Sequence, residues 1–280
     1  MAIPILKMWK RYFDSDPDEG LGSSYERVVL NRKLKMFVQR FQVQSVLEVP
    51  SFGFTGISGI NSMELARNGC WVTLVDHDRE RLQRIQQVWQ QVELPLQAVY
   101  VRRYERLPFA AHSFDFSWNF ASLWFVAHLS GFLTELTRVT RKAIAIFVPN
   151  RLGLGFLMQK TMGRADLRKH FYEKNIRPGI IKQTMHRLGW RLKEADFIDC
   201  PPWPDIGMSK GEFLQRLKLG GLLKQRNHTP AQPLTILNYY QGADPDFPHA
   251  MMRYYWFEKY SPWLVKRFWA HHRYFLFTRE

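Results

Sequence analysis

Residues 45–78 read SVLEVPSFGFTGISGINSMELARNGCWVTLVDHD. This stretch predicts a short buried strand over 46–49, a glycine-rich loop, a helix over 61–68 and a second strand over 71–76 that ends on Asp76. The apolar run of the first strand suits a parallel strand covered on both faces. Gly53, Gly56 and Gly59 lack a Cβ, so a ligand can lie close to that backbone. Asn68-Gly69 closes the helix before the next apolar run.

Working outward, the same alternation continues. Helices are predicted over 24–41, 79–92, 131–140 and 178–188, and strands over 97–102, 114–119, 143–148, 191–200 and 272–279. Short apolar strands alternating with helices predict an α/β fold with a doubly wound, mostly parallel sheet and helices on both faces.

The glycine loop resembles two families, the dinucleotide-binding Rossmann enzymes and the class I S-adenosylmethionine-dependent methyltransferases. Glycines at intervals of three depart from the Gly-x-Gly-x-x-Gly of dinucleotide sites. Glu48, closing the first strand, would repel a pyrophosphate and is similar to the acid that methyltransferases carry there. Leu107-Pro108-Phe109-Ala110-Ala111-His112-Ser113-Phe114-Asp115 looks like the segment before the fourth strand of many small-molecule methyltransferases. The resemblance spans roughly 25–200 plus the last strand, and it implies a seven-stranded sheet whose final strand is antiparallel. It also implies S-adenosylmethionine as cofactor. The implied cofactor residues are Glu48, Pro50, Ser51, Gly53, Gly56 and Gly59 on the loop, Asp76 on the ribose hydroxyls, His77 on the adenine face, Arg103 and Tyr104 after the third strand, and Asn119 at the end of the fourth. Three departures stand out: a longer loop carrying Pro50 and Phe52, Arg103 where an acidic or polar residue is usual, and His77 in place of an apolar residue.

The implied organisation is an N-terminal helical segment over 1–44, a cofactor-binding domain over 45–200 plus 272–280, and two insertions, 151–177 and 201–271, forming a helical, aromatic cap. Tyr254, Trp256 and Trp263 in the second insertion are candidate substrate-binding residues. The same aromatics also suit the cap's own core, or a membrane-surface helix with Arg253, Lys259, Lys266 and Arg267 as its cationic side.

Composition sets the bounds. The 280 residues suit one large domain or a domain with an appendage. Two cysteines, Cys70 and Cys200, exclude a disulfide framework and fit a reduced, cytoplasmic setting. Residues 1–13 are basic and partly apolar, but Lys7 and Lys10 interrupt them and acids follow, a pattern unlike a signal peptide. No run approaches the roughly 18 apolar residues of a membrane span. A formal charge of +15, from 40 Lys and Arg against 25 acids, suits an anionic partner, whether nucleic acid, membrane surface or acidic metabolite. No nucleic-acid module is recognisable, so a nucleic-acid partner is not favoured. Peripheral membrane contact stays open, and the oligomeric state is not encoded in any visible pattern.

Methyl transfer is an in-line displacement in which a general base is optional, so no catalytic residue is assigned; His112, His128, His170 and Tyr172 have suitable chemistry. Asp199-Cys200-Pro201-Pro202-Trp203 superficially matches the Asp-Pro-Pro-Trp of amino-group nucleic-acid methyltransferases, but a cysteine interrupts it and it follows the sixth strand; it reads as a rigid exit from that strand. His271-His272 lacks the neighbouring ligands of a metal site, so no metal is expected. The leading expectation is a methyltransferase acting on a small or medium, aromatic or lipid-like acceptor. Its rivals are an RNA methyltransferase and a non-catalytic binding protein that keeps the fold.

Overall fold

The computed structural model describes residues 9–13, 18–161, 171–203 and 234–279. Seven strands form one sheet: β1 (Ser45–Glu48), β2 (Trp71–Asp76), β3 (Gln97–Tyr100), β4 (Phe114–Phe120), β5 (Thr140–Pro149), β6 (Trp190–Ile198) and β7 (His272–Arg279). The order is β3-β2-β1-β4-β5-β7-β6, and only β7 runs against its neighbours. The doubly wound sheet with an antiparallel closing strand is the architecture the sequence implies.

Ten α-helices are described: α1 (Gly20–Arg40), α2 (Met63–Arg67), α3 (Arg79–Gln91), α4 (Leu129–Val139), α5 (Leu154–Thr161), α6 (Pro178–Arg187), α7 (Leu237–Tyr240), α8 (Phe247–Met252), α9 (Tyr255–Tyr260) and α10 (Trp263–Trp269). The central strands are continuous apolar runs because both faces are covered. All of β4 is buried, and β5 sends Ala143, Ala145 and Phe147 to one face and Ile144, Ile146 and Val148 to the other. The first face is covered by α1, α2, α3, α7 and α8, the second by α4 and α6. Edge strand β6 exposes Arg191 and Lys193, charges that discourage pairing with another chain.

Several boundaries differ from those expected. Helix α1 starts at Gly20, so Ser24, the expected start, lies buried inside it. Helix α2 is shorter than 61–68 because Asn61 and Ser62 turn inward to polar partners. The second insertion also differs from a simple cap. Ile236, Leu237, Tyr240, Phe247 and Met251 join the apolar layer of α1, extending that layer, while α9 and α10 run near the carboxyl ends of β6 and β5. Residues 162–170 and 204–233 of the two insertions lie outside the described residues.

Candidate functional site

The carboxyl ends of β1, β2 and β4 meet around the 49–62 loop, where an open α/β sheet normally receives its ligand. Ser51 anchors the loop: its N–H donates to the Val75 carbonyl (3.0 Å) and its hydroxyl to Asp76 Oδ2 (2.8 Å). Asp76 is fully buried. Its Oδ1 also accepts from the Asp78 N–H (2.9 Å) and Arg81 Nη2 (2.5 Å), and its Oδ2 from Arg81 Nε (2.8 Å). Both carboxylate oxygens therefore carry two donors. Arg81 is itself buried, with the Phe52 ring at 4.7 Å and the Trp9 ring at 5.3 Å. Burial opposes its charge, but Asp76 raises its pKa above the ordinary arginine value. Asp78 caps α3 by accepting the Arg81 N–H at 3.1 Å, so one short segment fixes both helix start and ion pair.

The three glycines make room for the chain itself. A Cβ on Gly53 would collide with the Phe120 carbonyl, one on Gly56 with the Glu19 carboxylate, and one on Gly59 with the Ile85 side chain. Their positive φ values, 130°, 137° and 73°, also exclude most side chains. Arg27 and Glu19, which sequence reasoning missed, lock this loop from α1. Arg27 pairs with Glu19 and donates to Asn61 Oδ1 (2.5 Å) and the Ile57 carbonyl (3.2 Å), while Glu19 accepts the Ile57 N–H (3.0 Å). No local motif announces the pair, since its partners lie 30 or more residues further along.

Glu48 is buried, and its Oε2 accepts from Ser62 Oγ at 2.6 Å. Burial pushes its carboxyl up to about 8, so near neutrality it holds a proton. His77 Nδ1 lies 2.8 Å from the Tyr104 hydroxyl and its ring 5.1 Å from that of Phe52; burial lowers its pKa. Tyr104 is buried, whereas Arg103 is exposed. Asn119 is fully buried near the end of β4, and neither its amide oxygen nor its amide nitrogen has a hydrogen-bond partner among the described residues; Ser58 and Ser122 have unpartnered buried hydroxyls as well. Unmet buried polar groups are costly, so the Asn119 amide is a candidate contact for a ligand group or an ordered water.

The other candidates spread out. Tyr254 packs edge-on against Trp203 at 4.9 Å, but Trp256 and Trp263 both stand out in solvent. His112 sits at the amino ends of the strands, against the Thr140 carbonyl and Arg279, at the wrong end of the sheet for a base. His128 and Tyr172 are exposed, and His170 lies outside the described residues.

A second polar cluster lies at the start of β7. His272 Nδ1 is 2.8 Å from Glu26 Oε1 and 3.6 Å from Asp199 Oδ2, and His271 Nδ1 is 2.7 Å from the same Asp199 oxygen. Burial opposes the His272 charge, yet Glu26 and Asp199 raise it to about 10; burial likewise opposes Asp199, which His271 and His272 hold at about 2. The histidine pair thus gains two carboxylates that sequence spacing gave no sign of. The candidate ligand atoms of Glu26, Asp199 and His272 all lie within 4.8 Å of one another, so the neighbouring ligands missing from the sequence pattern are present in the fold. Asp199 and Cys200 belong to this network, with the Cys200 N–H on Glu258 Oε2 at 2.9 Å, which fits the reading of 199–203 as a strand exit.

Residues 54–147 match the family model described as a methyltransferase domain. The fold is similar to that of magnesium protoporphyrin IX methyltransferase from Synechocystis, solved with bound S-adenosylhomocysteine: TM-score 0.55 and 10% identity over 97% of this chain and 93% of that one. It is also similar to a candidate sarcosine dimethylglycine methyltransferase from Galdieria sulphuraria, with TM-score 0.54 and 11% identity over 89% of this chain and 85% of that one. No curated protein matches the chain. Residues 54–147 thus match a methyltransferase domain, within a fold similar to those of class I, Rossmann-like methyltransferases, and such a domain implies S-adenosylmethionine as cofactor.

The described residues fit that cofactor at one end. The buried amide of Asn119, unpartnered among the described residues, is open to a polar group of the methionine; Glu48 lies on the other face of the sheet, in register with Trp118 and bonded to Ser62. The ribose end does not fit as it stands, because both Asp76 oxygens are saturated by Arg81, Ser51 and the Asp78 N–H.

Proposed function

We propose that this protein transfers the methyl group of S-adenosylmethionine to a small or medium acceptor of aromatic or lipid-like character. Bound S-adenosylmethionine supplies an electrophilic methyl carbon. The chain's own work is to position and to exclude water, which carries much of the rate in a displacement that needs little acid–base help. The observation that carries this reading is the fully buried, unpartnered Asn119 near the carboxyl end of β4. In this reading Asn119 holds the methionine end, and Asp76 takes the ribose once Arg81 leaves its carboxylate. His77 and Tyr104 stand beside it as the adenine side.

The test is calorimetry with S-adenosylhomocysteine on Asn119→Leu, an isosteric change that removes the orphan amide. Binding weakened about tenfold or more with the fold intact supports the assignment, since loss of one hydrogen bond typically costs about 1 kcal/mol and more when the partner is charged. Unchanged affinity removes Asn119 from the site. The saturated Asp76 favours a second reading, a binding protein that keeps the fold without turnover; complete absence of S-adenosylhomocysteine binding by the wild-type chain would select it.

A further inference from the structure

Helix α10 is unusual in this molecule because none of its residues is buried. It is fastened at its carboxyl end: Asn150 Nδ2 donates to the Arg267 and Ala270 carbonyls (2.9 and 2.8 Å), and Trp269 Nε1 donates to the Pro201 carbonyl (2.7 Å). Its apolar side chains stay largely uncovered. Leu264 and Phe268 are 61% and 45% exposed and share a face at i,i+4 spacing. On α9, Trp256 and Tyr260 repeat the arrangement at 55% and 71% exposure. Across the Asn150 bridge, Leu154 and Leu157 of α5 are also exposed and on one face. Single exposed apolar residues are ordinary, but here six fall in same-face pairs on three short helices that the Asn150 bridge and the short 261–262 link bring close in space.

The chain segment that carries α9 and α10 is cationic. From 247 to 271 the chain carries Arg253, Lys259, Lys266 and Arg267 against one acid, Glu258. Glu258 is buried and accepts from Tyr25 and Cys200, so it does not face outward. None of the four cations has an acidic partner within ion-pair distance among the described residues. Arg267 lies 5.4 and 5.7 Å from the Trp263 and Phe268 rings, and Lys259 5.0 Å from Tyr260. Large amphipathic aromatics with long cationic side chains among them are the chemistry of a bilayer interface, where the rings sit at headgroup depth and the cations meet anionic lipid. No helix among the described residues is long and apolar enough to cross a membrane, so contact would be peripheral.

We propose that the α9–α10 surface, with the exposed leucines of α5, docks on the headgroup region of an anionic lipid bilayer. The register of Pro149 with His272 and of Ile198 with His272 puts this surface at the carboxyl ends of β5 and β6, the side of the sheet that holds Asn119. A lipid-like acceptor would then reach the site from the bilayer. That consequence rests on the proposed methyl transfer, whereas docking itself does not.

The experiment is co-sedimentation of the full chain with phosphatidylglycerol-containing vesicles and with phosphatidylcholine vesicles, at low and raised salt. The wild type is expected to pellet with the anionic vesicles and to be released by salt. A triple variant, Tyr260→Ser, Leu264→Ser and Phe268→Ser, should bind at least tenfold more weakly, with melting temperature and S-adenosylhomocysteine affinity unchanged. Lys266→Gln with Arg267→Gln should lose about fivefold per charge on the anionic vesicles alone. Wild-type protein that stays in the supernatant with both vesicles overturns the proposal, as does a triple variant that pellets like the wild type. Concentration-dependent dimerisation abolished by the triple variant, without vesicle binding, would reassign the patch to a second copy of this chain. Loss of vesicle binding with cofactor affinity intact would leave the proposed methyl transfer standing; the reverse result would leave docking standing.

Discussion

Two neighbouring regions at the carboxyl edge of the sheet end in polar residues with opposite fates. At the end of β2, Asp76 accepts four hydrogen bonds, and Arg81 over it lies between Phe52 and Trp9. Near the end of β4, Asn119 is equally buried and its amide has no partner among the described residues. The first region is completed by the chain; the second is left open by the described residues. Strand position alone therefore does not identify a ligand contact, because the same position can be closed by a local side chain.

The sharpest way to break this comparison is Arg81→Leu, which leaves the Asp76 charge buried without its main partner. The expected loss is about 3–5 kcal/mol in urea unfolding, and adding Asp76→Leu to it should recover much of that, since an apolar pair can replace a buried ion pair. S-adenosylhomocysteine should bind Arg81→Leu more tightly than the wild type if Asp76 is the ribose acceptor; unchanged or weaker binding would sink that role.

Next in size is a pH effect at the edge of the comparison. Glu48 has its folded pKa raised by burial to about 8, from 4.5. Its contribution to stability is thus fully present below about 4.5 and is lost as pH rises through about 8. Unfolding free energy should fall across that window, and Glu48→Gln should flatten the fall; an equal slope in the variant would show that other groups govern it.

Asn119→Leu gives a smaller change with the opposite sign in stability. Removing a buried, unpartnered amide should stabilise the ligand-free protein by about 1–3 kcal/mol, seen as a higher urea midpoint with the same slope. A destabilised variant would mean that Asn119 is already satisfied by ordered water. The smallest effect belongs to Lys10→Ala, which cuts the exposed Lys10–Glu80 contact at 2.5 Å beside the Arg81 cover. Less than about 1 kcal/mol should be lost, and a larger loss would show that residues 9–13 clamp Arg81 through this pair.

Much of the fold was legible. Strands over 71–76 and 272–279 have the predicted bounds because each carries an apolar core, 72–75 and 274–277, that a covered strand accommodates. Of the candidate cofactor residues, Asp76, Ser51, His77 and Tyr104 do gather at one edge, yet the saturation of Asp76 follows from side-chain direction on α3. Trp256 on α9 and Trp263 on α10 suited a pocket or a core by residue type, yet both are 55% exposed, a fact of how those two helices sit on the sheet.

The sequence by itself determined the strand order's raw material, the α/β class, the glycine loop and the acidic ends of β1 and β2, since apolar periodicity sums over many residues and tolerates local exceptions. Only the tertiary structure decided which polar groups would be partnered. His272 meets Glu26 from across nearly the whole chain, and Glu19 meets Arg27, Ile57 and Thr235 at once. A hydrogen bond depends on a few tenths of an ångström between particular atoms, and no pattern along the chain carries that distance.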